Sequence, residues 1–312
     1  MLYRNPGRDS ARKDRGFRIS ADRPLGLLAS CPAYHPTALR EMPDLARESG
    51  VARFWIKDES TRMGLGSFKA LGGAYAVGQM IADASGTQDL LGDQARAVAA
   101  SMTFVTASAG NHGLSVAAGA KVFGARATIV LGPDVPESFA GRIRALGADV
   151  VRAGRNYDDS VVHTKTLAAE NDWILLADGS WDGYTERPAM VMEGYTVLAE
   201  ECRATFSETG LWPSHVMLQA GVGGMAAAVA GHIRTCWAEQ PTVIVVEPDR
   251  APCLLESVRA GHMVRADGDI SNMGRLDCKE ASLLAFESLR RDADLFVTVT
   301  DAEAQAAADR FT

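Results

Sequence analysis

From about Val51 onward, short runs rich in β-branched and aromatic residues alternate with longer Ala-rich runs of helical character. Residues 54–57, 103–106, 127–131, 149–152 and 173–177 read as strands. Residues 69–84, 113–123, 137–146 and 157–170 read as the helices between them. A further strand–helix–strand unit spans 216–219, 226–238 and 242–246, and 301–310 reads as a helix. Parallel strands require crossover helices, so this alternation predicts an α/β protein with parallel sheets flanked by helices.

In such sheets chemistry gathers where strands end and helices begin. Three of these junctions have unusual composition. The first is Gly64-Leu65-Gly66-Ser67-Phe68-Lys69, opening a helix. Beside Phe68, Ala70 and Leu71, the Lys69 ammonium is expected to leave an apolar wall, where desolvation lowers its pKa and frees an amine nucleophile or base. The second is Ser108-Ala109-Gly110-Asn111-His112-Gly113, whose small residues let helix N-terminal amides face an anion while Asn111 adds a side-chain donor. As a plain turn, the same stretch would put Gly110 at positive φ with Asn111 as a cap. The third is Gly221-Val222-Gly223-Gly224-Met225. It suits a phosphate dianion, but Gly221-x-Gly223-x-x-Ala226 also matches a dinucleotide fingerprint, with Glu247 about 26 positions on. Alone, the loop leaves both readings open.

Composition narrows the class without choosing the chemistry. The 312 residues suffice for one large domain or two modest ones, and 47% hydrophobic with 23% charged residues is ordinary for a globular chain. A net charge of -7 argues against a nucleic-acid surface, and no run of about 18 apolar residues suggests a membrane span. The basic segment 1–23 carries Arg4, Arg8, Arg12, Lys13, Arg15 and Arg18 but lacks an apolar signal core, and Asp9 and Asp14 count against a transit peptide. It reads as a mobile arm or one pinned by a partner subunit. Five scattered cysteines and six dispersed histidines show neither C-x-x-C nor H-E-x-x-H spacing, so no metal site is expected and reduced thiols in a cytoplasm fit.

Taken together, S-x-K at Ser67 to Lys69, S-x-G-N-H at Ser108 to His112 and G-x-G-G at Gly221 to Gly224 resemble the fold type II pyridoxal-phosphate (PLP) family, which includes threonine dehydratase, serine racemase and cysteine synthase. The likeness runs from about Pro36 to the end of the chain. It implies a two-lobed, tryptophan-synthase-β-like architecture. The larger lobe would comprise 1–74 and 196–312, the smaller inserted lobe 75–195, with the cofactor in the cleft between them. Lys57-Asp58-Glu59-Ser60-Thr61-Arg62, Asn156-Tyr157-Asp158-Asp159, Trp181-Asp182-Gly183-Tyr184, Glu193-Gly194-Tyr195, Val246-Glu247-Pro248-Asp249 and Leu276-Asp277-Cys278-Lys279-Glu280 resemble diaminopropionate ammonia-lyases more than threonine dehydratases.

By that resemblance, pyridoxal 5'-phosphate would form a Schiff base with Lys69. Asn111 would contact the ring hydroxyl, and Gly221, Val222, Gly223, Gly224 and Met225 would bind the phosphate. Ser108 with the amides of Gly110, Asn111 and His112 would hold the substrate carboxylate. Asp178 matches an acidic residue near the substrate amines. The cofactor would act as an electron sink, Lys69 would remove the α proton, and Asp178 would assist loss of the β-amine. Diaminopropionate would yield pyruvate and ammonia in amino-acid catabolism. A homodimer is implied as well.

Two departures from the family pattern carry expectations. Ala109 stands where these lyases have an aspartate that serves the D-substrate, which implies activity on the L form or a different substrate. The chain ends at Arg310-Phe311-Thr312 inside a helical run, where relatives continue into a segment that meets the pyridine nitrogen, so a longer natural chain is expected. A serine/threonine-type dehydratase, a nicotinamide-dependent oxidoreductase using the glycine loop, and a non-catalytic PLP-binding protein are the alternatives.

Overall fold

A computed structural model describes residues 1–8, 15–31, 33–108, 110–133, 135–155 and 157–310. Asp9, Arg12, Lys13, Asp14, Ala109, Asn156, Phe311 and Thr312, and the side chains of Tyr157 and Asp158, lie outside the described residues. The chain runs β1 (Leu2–Arg4), α1 (Asp22–Leu28), β2 (Leu39–Glu41), α2 (Pro43–Ser49), β3 (Trp55–Lys57) and α3 (Lys69–Ser85). Next come α4 (Asp93–Ala99), β4 (Thr103–Ala107), α5 (Asn111–Phe123), β5 (Arg126–Leu131), α6 (Glu137–Ala145) and β6 (Asp149–Arg152). Then follow α7 (Tyr157–Glu170), β7 (Ile174–Leu175), α8 (Glu186–Thr209), β8 (His215–Gln219), α9 (Gly224–Cys236) and β9 (Thr242–Pro248). The last elements are α10 (Cys253–Ala260), α11 (Leu283–Asp292), β10 (Leu295–Val299) and α12 (Asp301–Asp309).

Two compact units result, one of residues 21–176 with 200–205, the other of 1–20, 177–199 and 206–312. The expected lobes, 1–74 with 196–312 and 75–195, divide the chain at other points. In the unit holding 21–176, a wholly parallel sheet has the order β6-β5-β4-β7, and β2 and β3 form an antiparallel ribbon. The strand β4 is buried along residues 103–106, so it reads as a continuous run without two-residue alternation, as an interior parallel strand should. The helices α3 and α5 pack with backbones in near contact. A Cβ added to Gly119 would lie 2.8 Å from the Ala74 Cα, and one on Gly73 would lie 2.6 Å from the Ser115 Oγ.

That contact yields a test. Gly119→Ala is expected to cost about 1–3 kcal/mol of stability, because the clash is with backbone and cannot relax by a rotamer change. Gly141→Ala on α6, where an added Cβ meets nothing within 4 Å, is expected to stabilise slightly through helix propensity. Urea unfolding of the two variants compares them.

In the other unit the sheet order is β1-β10-β9-β8, with β10, β9 and β8 parallel and β1 antiparallel to β10. The arm expected to be mobile or pinned by a partner subunit is instead tied to its own unit. Leu2 to Arg4 pair with β10, and Asn5 Nδ2 donates to the Arg290 and Ala293 carbonyls at 2.9 and 2.8 Å. Arg15 forms a buried two-pronged ion pair with Asp292 at 2.6 and 2.9 Å. The basic residues of the arm include one, Arg15, that pairs with a buried acid from distant sequence.

The strand expected at 173–177 shortens to Ile174–Leu175, because the Ala177 amide donates to the Tyr184 hydroxyl and leaves the ladder. The 24-residue helix α8 was not foreseen. Pro188 lies in its first turn, where no intrahelical donor is lost. No helix among the described residues is long and apolar enough to cross a membrane.

Candidate active site

Lys69 is the first residue of α3. Its amide donates to the Ser67 Oγ at 3.2 Å, so the serine of the S-x-K pattern restrains the backbone at the start of the helix. The ammonium lies 5.7 Å from the Phe68 ring centroid, and the side chain is half-buried. One helix away, Asn111 is the first residue of α5. The buried Ser115, one turn further along α5, donates its hydroxyl to the Lys69 carbonyl at 2.6 Å and accepts the Ala74 amide at 3.0 Å. One hydroxyl thus fastens the helix carrying Lys69 to the helix carrying Asn111.

Ser108 Oγ accepts the Gly110 and Gly113 amides at 3.2 and 3.0 Å. Two donors that looked available at this turn are therefore engaged within it, while the Asn111 amide meets no acceptor among the described residues. Gly110 is extended, with φ -153°, in place of the positive φ expected of a plain turn. The His112 ring is buried, its Nε2 2.8 Å from the Leu176 carbonyl, so this imidazole serves packing.

The run Lys57 to Arg62 precedes the lysine loop, and its chemistry is structural. The Arg62 side chain is 0% exposed. Its guanidinium donates to Glu59 Oε2 and Oε1 at 2.8 and 2.7 Å and to both Glu201 oxygens at 2.7 Å. Lys57 Nζ reaches Glu201 at 2.5 Å, and the Tyr34 hydroxyl donates to it at 2.9 Å. Burial alone would raise the Glu201 carboxyl, but the Arg62 and Lys57 bonds outweigh it and hold the group below the usual carboxylate range.

The glycine loop belongs to the other unit. Gly223 has φ +96°, and a Cβ there would lie 2.8 Å from Leu254 Cδ1. A Cβ on Gly221 would lie 3.0 Å from the Cys278 Sγ and 3.3 Å from the Leu276 Cα. The carbonyls of Gly221 and Val222 turn inward to the Cys253 Sγ (3.5 Å) and the Ser282 amide (2.9 Å). The amides of Gly221 to Met225 meet no acceptor among the described residues and lead into the positive end of α9. Such a cradle fits a phosphate dianion, the anchoring group of pyridoxal phosphate. Asp178 belongs to the same unit and flanks the cradle, its carbonyl 3.7 Å from a Cβ built on Gly224.

Glu247 is 1% exposed and gives both carboxylate oxygens to the Leu254 and Leu255 amides at 2.8 Å. Burial pushes its carboxyl up to about 7 against those two backbone bonds. It caps α10, so the dinucleotide reading of the loop loses its ribose-binding acid. Sequence reasoning passed over Glu201, Ser115, Ser180 and Ser282. Only Ser282, directly before the apolar Leu283 and Leu284, carried a local signal, that of a helix N-cap.

The parallel α/β units, the lysine at a helix start and the glycine cradle are those of a cofactor-dependent enzyme of the pyridoxal-phosphate class. A family model described as pyridoxal-phosphate dependent enzyme matches residues 31–312, and the chain belongs to that family. It is 38% identical over 276 residues to the diaminopropionate ammonia-lyase of Escherichia coli K12, covering 87% of this chain and 69% of that protein. The diaminopropionate ammonia-lyase of Salmonella typhimurium is 35% identical over 282 residues, covering 86% and 70%. The crystal structure of the Escherichia coli enzyme in complex with an aminoacrylate-PLP azomethine reaction intermediate superposes with a TM-score of 0.86 at 34% identity, covering 97% of this chain and 77% of that one. The fold type II architecture implied by the sequence motifs is the architecture of these relatives.

Proposed function

We propose that this protein is a PLP-dependent ammonia-lyase that converts 2,3-diaminopropionate, in its L form, to pyruvate and ammonia. The observation that carries the reading is 38% identity to a diaminopropionate ammonia-lyase over a span that includes all three motif loops. Bound to this protein, the cofactor supplies an electron sink that acidifies the substrate α C–H. The Lys69 amine holds the cofactor aldehyde and then takes the α proton, while Asn111 orients the ring hydroxyl. The amides of Gly221, Val222, Gly223, Gly224 and Met225 hold the phosphate. The Asn111 and His112 amides at the start of α5 hold the small amino-acid substrate by its carboxylate, in a turn that Ser108 Oγ closes on the Gly110 and Gly113 amides. Asp178 gives a proton to the departing β-amine.

The preference for the L form rests on Ala109, which offers no carboxylate to a D-substrate. Five scattered cysteines are in keeping with a reducing cytoplasm, and a homodimer is the assembly this family resemblance favours. Purified protein with PLP is expected to show a visible absorption band that disappears on borohydride treatment. It is expected to release ammonia fastest from L-2,3-diaminopropionate. Comparable turnover of the D form overturns the stereochemical part, and faster turnover of L-serine or L-threonine replaces the lyase reading with a dehydratase.

A further inference from the structure

Three segments distant in sequence meet in the unit that carries the glycine loop. Ser282 precedes α11 as its N-cap, and its amide donates to the Val222 carbonyl at 2.9 Å. The Ser282 hydroxyl does not cap its own helix. It accepts the Ser180 amide at 3.0 Å and lies 2.7 Å from the Ser180 hydroxyl. The Ser180 hydroxyl takes over the capping by accepting the Leu284 amide at 2.9 Å, and the Ser180 carbonyl accepts the Leu283 amide at 2.9 Å. The two serines are 4% and 2% exposed, so water does not compete for these bonds.

A serine cap needs only its own hydroxyl. Here the cap comes from a residue 102 positions upstream, while the local hydroxyl is spent on that same residue. The exchange ties Ser180 to the glycine loop through Ser282 and Val222, and Ser180 stands two residues after Asp178. We propose that Ser180 and Ser282 form a clasp of positioning residues, which fixes the Asp178 segment to the phosphate-binding loop so that one contact seats the cofactor phosphate and places the acid. The proposal rests on the functional reading above, in which that loop holds the PLP phosphate and Asp178 serves the departing amine.

Removal of the Ser282 hydroxyl leaves a buried Ser180 amide without its acceptor and frees the Asp178 segment to shift. Apo-protein carrying Ser282→Ala is expected to bind PLP about tenfold more weakly than the parent, read by titration of the visible band. Pyridoxal, which lacks the phosphate, is expected to bind both equally. In the holoenzyme kcat is expected to fall more than KM rises, with a shift in the limb of the pH profile that Asp178→Asn abolishes. Ser180→Ala provides a second route should Ser282→Ala fold poorly, and the double variant is expected to cost no more than the larger single loss, as one clasp requires.

Thr300→Ala, which removes the capping box of α12, controls for loss of a helix cap and is expected to lower Tm without changing PLP affinity. If parent apo-protein fails to bind PLP, the functional reading fails and the clasp fails with it. If the parent binds and both serine variants bind PLP as tightly, the clasp alone is overturned. Equal losses for PLP and pyridoxal also overturn it, because the effect would then not act through the phosphate loop.

Discussion

Replacement of Lys69 by alanine is expected to lower kcat/KM for L-2,3-diaminopropionate by about 10³-fold or more, with little change in Tm. In the proposed function the amine serves twice, as the group that holds the cofactor aldehyde and as the base at the substrate α carbon, and a positioned base alone is worth about 10²–10⁴-fold. Stability survives because the two bonds that fix the start of α3 are made by the backbone of residue 69. Its amide bonds to Ser67 Oγ and its carbonyl accepts from Ser115 Oγ, and both bonds persist in the alanine variant. Borohydride reduction followed by peptide mass mapping gives an independent readout. Parent protein is expected to carry the reduced pyridoxyl group on the peptide containing Lys69, and the variant none. Label on another lysine of the parent would remove Lys69 from its role.

The largest stability effect is expected at a position without a chemical role. Arg62→Ala strips the cationic partner from Glu59 and leaves Glu201 with Lys57 alone, in a site from which water is nearly excluded. Breaking a buried pair in this way costs about 3–5 kcal/mol, which lowers Tm on the order of 10 °C for a chain of this size. The same network sets an acid limb. The Glu201 carboxyl titrates lower when folded than when unfolded, so the unfolded state binds the proton more readily. Its contribution is complete above the unfolded carboxylate range and is lost as pH falls through the folded value. Glu201→Gln is therefore expected to flatten the fall of Tm with acidification, and an unchanged slope would refute the assignment. The Lys57 to Arg62 run clamps the segment leading to Lys69.

Much of the fold was legible from local pattern. The strand at 126–131 and the helices beginning at 69, 137 and 157 are where apolar runs, small-residue turns and helix starts placed them, because those signals act over a few neighbouring residues. The glycine loop was legible for a similar reason. Positive φ at Gly223 and the close approach of Leu254 exclude any side chain, and that exclusion is written as glycine. Its ligand was not legible, since the same spacing serves a dinucleotide. Glu247 decided that question only once its oxygens were seen on the Leu254 and Leu255 amides.

What the chain determined by itself is the type and order of the elements around its three motif loops, the residues able to bear a Schiff base and an anion, and the family to which those residues belong. Each follows from short-range chemistry: side-chain periodicity, backbone freedom at glycine, the nature of an amine. Tertiary structure decided which polar residues hold the parts in place. Glu201 joins Lys57 and Arg62 from 144 and 139 positions away, Asp292 takes Arg15 from 277, and Ser180 caps a helix 104 residues later. Pairings of that kind exist only after the chain has excluded water around them, because their energy comes from burial. No local pattern announces that burial, and so Ser180, Ser115 and Glu201 look like ordinary surface residues until the fold closes over them.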